Sequence, residues 1–158
     1  MIKRLVFSFV VLSVALSTAT AQSTVFIVRH AEKADVSKDP DLSEAGRARA
    51  EALAKMLKDA NITAIYTTEF KRTQQTAAPL AKALGITATT VPAKDTAALI
   101  AKLRGSNSNA LVVGHGNTVP DLIKALGISE PINIAENDYD NLFVVMLDEK
   151  PRLVRLHY

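Results

Sequence analysis

A run of β-branched and aromatic residues at 24–28 stops abruptly at Arg29 and His30, and this stretch, T-V-F-I-V-R-H-A-E-K through Lys33, constrains the chain more than any other. An apolar run of that length suits a buried strand. Two polar side chains then sit at the strand's carboxyl end, where loops fan apart and the following helix aims its N-terminus at the crevice. Taken alone, an R-H pair is also what a solvated arginine beside a satisfied core histidine looks like. The rest of the chain decides between the two.

The same junction recurs. Asp41 or Ser43 can cap a first helix whose Ala50, Leu53, Ala54 and Leu57 form one apolar face, with Glu44 in the first turn where the dipole favours negative charge. Residues 62–66 predict a second strand and 67–71 the loop after it. A helix follows with Thr73, Thr76, Ala77, Leu80, Ala81 and Leu84 on one side, Gly85 as its stop and a local kink at Pro79. Arg72 stands near that helix's N-terminus. Residues 86–91 predict a third strand, and Asp95 caps a helix over 96–104. Residues 110–113 predict a fourth, buried strand ending in G-H-G-N-T, with Asn117 or Thr118 capping the next helix and Gly127 ending it. A polar connection over 129–140 leads to two strands, 142–147 and 153–157, close enough for a hairpin. Alternating strands and helices of this kind predict a three-layer α/β sandwich with a mostly parallel central sheet.

The first 21 residues read as a signal peptide: Lys3 and Arg4, an apolar stretch from Leu5 to Leu16, then Ala19-Thr20-Ala21 as an A-x-A cleavage site. That apolar stretch falls short of the roughly 20 residues a membrane span requires. Of 158 residues, 137 remain from Gln22 onward, as a single domain over 22–158. Without Lys3 and Arg4 the balance is 17 basic to 16 acidic residues, a net charge of +1, which is no footprint for nucleic acid. With no cysteine in the chain, disulfides play no part in its stability.

Three βα junctions thus contribute Arg29 with His30, Arg72, and His115. If their strands are neighbours, two histidines and two arginines converge, which suits a phosphoryl group. An imidazole can attack phosphorus in line while guanidinium forks hold the equatorial oxygens. No H-E-x-x-H pattern, cysteine cluster or carboxylate run offers a metal-ligand set, so the mechanism expected here uses neither metal nor cofactor.

Four ordered pieces carry a family resemblance: V-R-H-A-E-K at 28–33, L-S-E-A-G-R-A-R-A at 42–50, Y-T-T-E-F-K-R-T-Q-Q-T-A at 66–77 and V-V-G-H-G-N-T at 112–118. Together they resemble the histidine phosphatase superfamily, the phosphoglycerate mutase-like group, and within it the small single-domain phosphatases similar to the phosphohistidine phosphatase type. The resemblance implies that His30 is the nucleophile, that Arg29 and Arg72 bind the phosphoryl oxygens, and that His115 does so from the opposite side. The piece at 42–50 packs the first helix. His157 belongs to no motif and reads as structural or exposed.

Larger members of the family carry a glutamate acid after the second arginine, where this chain has only Asp95; others place an acid directly after the second histidine, where this chain has Gly116. That leaves the general acid open: Glu32, two residues past His30, is the first candidate donor and Glu69 the runner-up, and each reads equally as a surface carboxylate balancing the pocket arginines. The reading is an exported phosphatase, periplasmic or secreted, that hydrolyses a small-molecule or envelope phosphate ester. A phosphohistidine phosphatase and a phosphate-binding module without turnover stand as the alternatives. Mass spectrometry of the protein from the cell envelope should show Gln22 as the first residue; an intact chain from Met1 in the cytoplasm would contradict export.

Overall fold

The apolar runs become neighbouring strands of one sheet in a computed structural model that describes residues 23–158; the leader lies outside the described residues. The elements are β1 (Ser23–Arg29), α1 (Glu44–Leu57), β2 (Ile62–Thr67), α2 (Lys71–Leu84), β3 (Thr89–Thr90), α3 (Thr96–Arg104), β4 (Asn109–Gly114), α4 (Thr118–Ala125), β5 (Asn141–Leu147) and β6 (Arg152–His157). Their order in the sheet is β3-β2-β4-β1-β5-β6. Strands β1 to β4 pair in parallel, whereas β5 runs antiparallel to both β1 and β6. The sheet is mostly parallel, with the expected hairpin at one edge.

Alternation along the central strands builds two cores. Val25 and Ile27 of β1 and Ala110 and Val112 of β4 face Leu103 of α3 and Val119, Leu122 and Ile123 of α4. Val28, Leu111 and Val113 face Leu53, Ala54 and Leu57 of α1 and Ala77 and Leu80 of α2. Side chains at i and i+2 share a face, so one strand feeds both cores and the three layers follow. Among the described residues no helix is long and apolar enough to cross a membrane.

Local chemistry sets the helix ends. Ser43, not Asp41, caps α1 by accepting from the Gly46 amide at 3.0 Å, while Asp41 accepts from Gln75 Nε2. Asp95 caps α3 through the Ala98 amide. Neither Asn117 nor Thr118 caps α4 with its side chain; Thr118 Oγ1 accepts instead from the His115 amide at 2.9 Å. Helix α2 continues through Pro79 as one element.

The third strand is much shorter than residues 86–91. Gly85, at φ +65°, closes α2 with a left-handed turn, and the Ile86 amide returns to the Ala81 carbonyl. The first residues of the apolar run therefore finish a helix. Only Thr89 and Thr90 remain to pair with β2.

Glycine 46 marks where α1 presses on the segment after β1. A Cβ built there would lie 2.3 Å from the Glu32 carbonyl oxygen, which is backbone and cannot swing aside. Gly46→Ala should destabilise the protein by about 3 kcal/mol, the upper end of overpacking costs, as read by chemical denaturation.

Candidate active site

Inserting β4 between β1 and β2 brings the three junctions to one end of the sheet. Arg29 is in register with Gly114, and the His30 amide extends the ladder by donating to the Gly114 carbonyl at 2.9 Å. The two imidazoles consequently face each other with ring centroids 5.4 Å apart. Arg29, His30, Arg72 and His115 line one open cleft of about 480 Å³, with Phe70 and Lys94 beside them. All four residues singled out at the three junctions meet there.

The hydrogen bonds determine which ring nitrogen carries each proton. His30, 4% exposed, places Nδ1 2.8 Å from the Ala31 carbonyl. A carbonyl can only accept, so Nδ1 holds the hydrogen and Nε2 keeps a free lone pair. Burial, chiefly, lowers the His30 pKa from 6.5 to about 4; the Ala31 bond opposes the shift, and His115, Arg72 and Arg29 add to it. His115 also falls to about 4, through burial and then Arg72, opposed by Glu69. Both rings are neutral at neutral pH, as a nucleophilic imidazole must be.

Each arginine is also tied to protein groups. Arg72 Nη1 lies 3.9 Å from Asp39 Oδ1, and its guanidinium sits 4.4 Å over the Phe70 ring. Arg29 Nη1 donates to the carbonyls of Ala135 and Glu136 at 3.0 and 2.7 Å, and its guanidinium lies 4.3 Å from the Tyr139 ring centroid. Part of the Arg29 fork therefore anchors the connection between α4 and β5. In both residues Nε is buried and has no hydrogen-bond partner among the described residues. Such orphaned donors suit an anion.

Glu32 is not in the cleft, contrary to the placement expected of a donor two residues past His30. Its carboxylate takes a forked contact from Arg49, with Nη2 at 2.7 Å and Nε at 2.9 and 3.0 Å. Burial would raise the Glu32 pKa, but the Arg49 bonds and charge outweigh it and hold the group below its ordinary value. A carboxylate so held resists protonation. The backbone leaves the extended path after β1, with the Ser43 amide on the Glu32 carbonyl, so i, i+2 alternation no longer applies.

The other carboxylates are committed elsewhere. Glu69 Oε2 accepts from the Ala93 amide at 2.8 Å, a bond that lowers its pKa, and Asp95 is the α3 cap. Among the described residues no carboxylate lines the cleft. His157 is exposed and pairs with Asp140 at 3.1 Å, in keeping with a residue outside the motifs.

Sequence reasoning missed Lys94, Tyr139 and a chain of hydroxyls behind His115. Lys94 follows β3, so the junction logic that found Arg72 would have found it too. Thr68 and Thr73 stand in plain view in the motif T-T-E-F-K-R-T, but only the fold places Thr68 Oγ1 3.0 Å from His115 Nε2. Nothing local marks Tyr139 in a polar connection.

The model of the histidine phosphatase superfamily (branch 1) matches residues 25–99, the segment that carries His30 and Arg72. No curated protein matches the chain. Among solved structures, the protein histidine phosphatase SixA complexed with tungstate is 24% identical with a TM-score of 0.69, over 85% of this chain and 96% of that one. A mycobacterial glucosyl-3-phosphoglycerate phosphatase with inorganic phosphate is 16% identical, with a TM-score of 0.69 over 85% and 97% of the two chains. Phosphoserine phosphatase from Entamoeba histolytica, in complex with 3-phosphoglyceric acid, is 16% identical with a TM-score of 0.67 over 86% and 97%. At such identities the likeness is one of fold, and it spans nearly the full length of each of those chains.

The two depressed histidines make stability depend on pH. An unfolded histidine takes up its proton near 6.5, whereas native His30 and His115 do so only near 4. Their contribution is fully present above pH 6.5 and is lost as pH falls toward 4. Glu32, held low, yields only below its ordinary 4.5. Thermal melts should therefore decline between pH 6.5 and 4, and His115→Gln should flatten that slope.

Proposed function

We propose that this chain, which matches the histidine phosphatase superfamily model and carries the histidine phosphatase fold, is a phosphatase that hydrolyses a phosphate monoester through a phosphohistidine on His30. One observation carries the reading: the Ala31 carbonyl holds the proton on His30 Nδ1, so the Nε2 lone pair is available inside a cleft lined by two guanidinium groups. Attack of Nε2 on phosphorus transfers charge to the equatorial oxygens, and preorganised donors there stabilise the transition state without reorganisation. Arg72 and Arg29 supply those donors. A module that only bound phosphate would have no use for a neutral, oriented nucleophile.

The mechanism requires no metal, because arginine and histidine provide the positive charge. The leader at residues 1–21 supports an exported location, periplasmic or secreted. There a phosphate on an envelope glycan or a lipopolysaccharide core sugar would be within reach. Phosphohistidine is the second reading, favoured by a cleft without a carboxylate and by the match to nearly the full length of SixA.

A rapid acid quench with labelled aryl phosphate should trap an acid-labile, base-stable adduct that His30→Ala does not form. Arg72→Ala should lose roughly 10²-fold or more in turnover, and exhaustive chelation should leave activity intact. Wild-type turnover in His30→Ala would refute the assignment. Comparing kcat/KM for a phosphohistidine peptide and a sugar phosphate separates the two substrate readings.

A further inference from the structure

We infer that His115 is the proton donor to the leaving group, acting through Nδ1 while Thr68 and Thr73 hold its other nitrogen in place. The inference rests on the phosphohistidine reading above and assigns the step that reading leaves open. An alkoxide leaves phosphorus slowly unless it is protonated as the bond breaks. The carboxylates near the cleft are committed elsewhere: Glu32 is clamped by Arg49, Glu69 accepts from the Ala93 amide, Asp95 caps a helix, and Asp39 accepts from the Lys71 amide beside Arg72. The His115 ring, by contrast, lines the cleft with its centroid 5.4 Å from that of the nucleophile.

Two independent sets of contacts fix its tautomer. Thr73 Oγ1 lies 2.8 Å from the Phe70 carbonyl, which can only accept, so the Thr73 hydroxyl proton points there. Thr68 Oγ1, 3.0 Å from Thr73 Oγ1, then directs its own proton to Thr73 and must accept from His115 Nε2 at 3.0 Å. From the other side Arg72 Nη2 lies 3.4 Å from His115 Nδ1, and a guanidinium has only protons to offer. Both lines put the hydrogen on Nε2 and the lone pair on Nδ1, beside a phosphate-binding arginine. Phe70, edge-on to the imidazole at 5.3 Å, helps keep the ring in that orientation.

The charged groups around His115 are Arg72 from α2, Arg29 at the end of β1, Glu69 from the loop after β2 and Lys94 after β3, with the neutral His30 ring just past β1. With the cations in excess, the free ring stays neutral. A bound phosphate reverses the balance. A monoester entering as its monoanion brings one proton on a phosphoryl oxygen, and that proton moves to Nδ1, giving an imidazolium whose Nε2–H still rests on Thr68. His30 Nε2 then forms the N–P bond as the P–O bond breaks. The P–O electron pair goes to the leaving oxygen, which takes the Nδ1 proton and departs as the alcohol. In the second half water attacks phosphorus, the N–P pair returns to Nε2, and the water proton passes through Nδ1 to the departing phosphate. One ester monoanion and one water thus give one alcohol and one dihydrogen phosphate.

The test compares an alkyl phosphate with 2,4-dinitrophenyl phosphate, whose leaving group needs no proton. His115→Gln should lose roughly 10³-fold on the alkyl ester and under about tenfold on the activated ester, within the span of general acid catalysis. Thr68→Val should show the same selectivity at roughly tenfold, with Thr68→Ser restoring it, so the proposal does not depend on the His115 variant folding. Equal losses on both esters, with the His30 adduct still trapped, would show that His115 only binds charge and would overturn this inference alone. Failure to trap any adduct in the wild type would instead overturn the phosphohistidine reading beneath it.

Discussion

The parallel pairing of β1 with β4 is the constraint on which the rest of the site depends. Its register sets Arg29 opposite Gly114, and one further hydrogen bond, from the His30 amide to the Gly114 carbonyl, brings the two histidines level. A slip of one residue would turn every side chain of β1 to the other face. Such a slip would exchange residues between the α3/α4 core and the α1/α2 core and separate the imidazoles. The hydrophobic effect thus fixes the distance between the two imidazoles.

The short segment after β1 is held from several sides. The Ala31 amide donates to Thr76 Oγ1 of α2, the Ala31 carbonyl accepts from His30 Nδ1, and the Glu32 carbonyl accepts from the Ser43 amide. Arg49 of α1 grips the Glu32 carboxylate and also donates to the Tyr158 carbonyl at 3.0 Å, tying in the end of the chain. A forked, partly buried contact of this kind gives orientation more than net stability. Its product is a carbonyl held where it dictates the His30 tautomer. Glu32 therefore supports the His30 ring through the backbone.

Crowding cationic and ionisable groups carries a cost that the fold meets locally. Burial keeps both histidines neutral, Asp39 offsets Arg72, and Arg29 is shared with two carbonyls and the Tyr139 ring. The residue that anchors the 129–140 connection also lines the cleft.

Much of this was legible in the sequence for a simple reason: periodicity reports which faces are buried, and βα junctions report which residues reach the carboxyl end of a sheet. The layers, the hairpin and the placing of Arg29, His30, Arg72 and His115 at βα junctions follow from those two rules, whereas their convergence needed β1, β4 and β2 to be neighbours, which the sheet order supplies. Strand 86–91 misled because Ile86 serves the turn that ends α2, and periodicity does not distinguish the end of a helix from the start of a strand. Glu32 misled because i, i+2 alternation holds only while the backbone stays extended. The protons of His30 and His115, the grip of Arg49 on Glu32 and the seat of Tyr139 were decided by tertiary structure alone. Each depends on a partner 17 or more residues away or on the exact path of a carbonyl, and no local pattern encodes either.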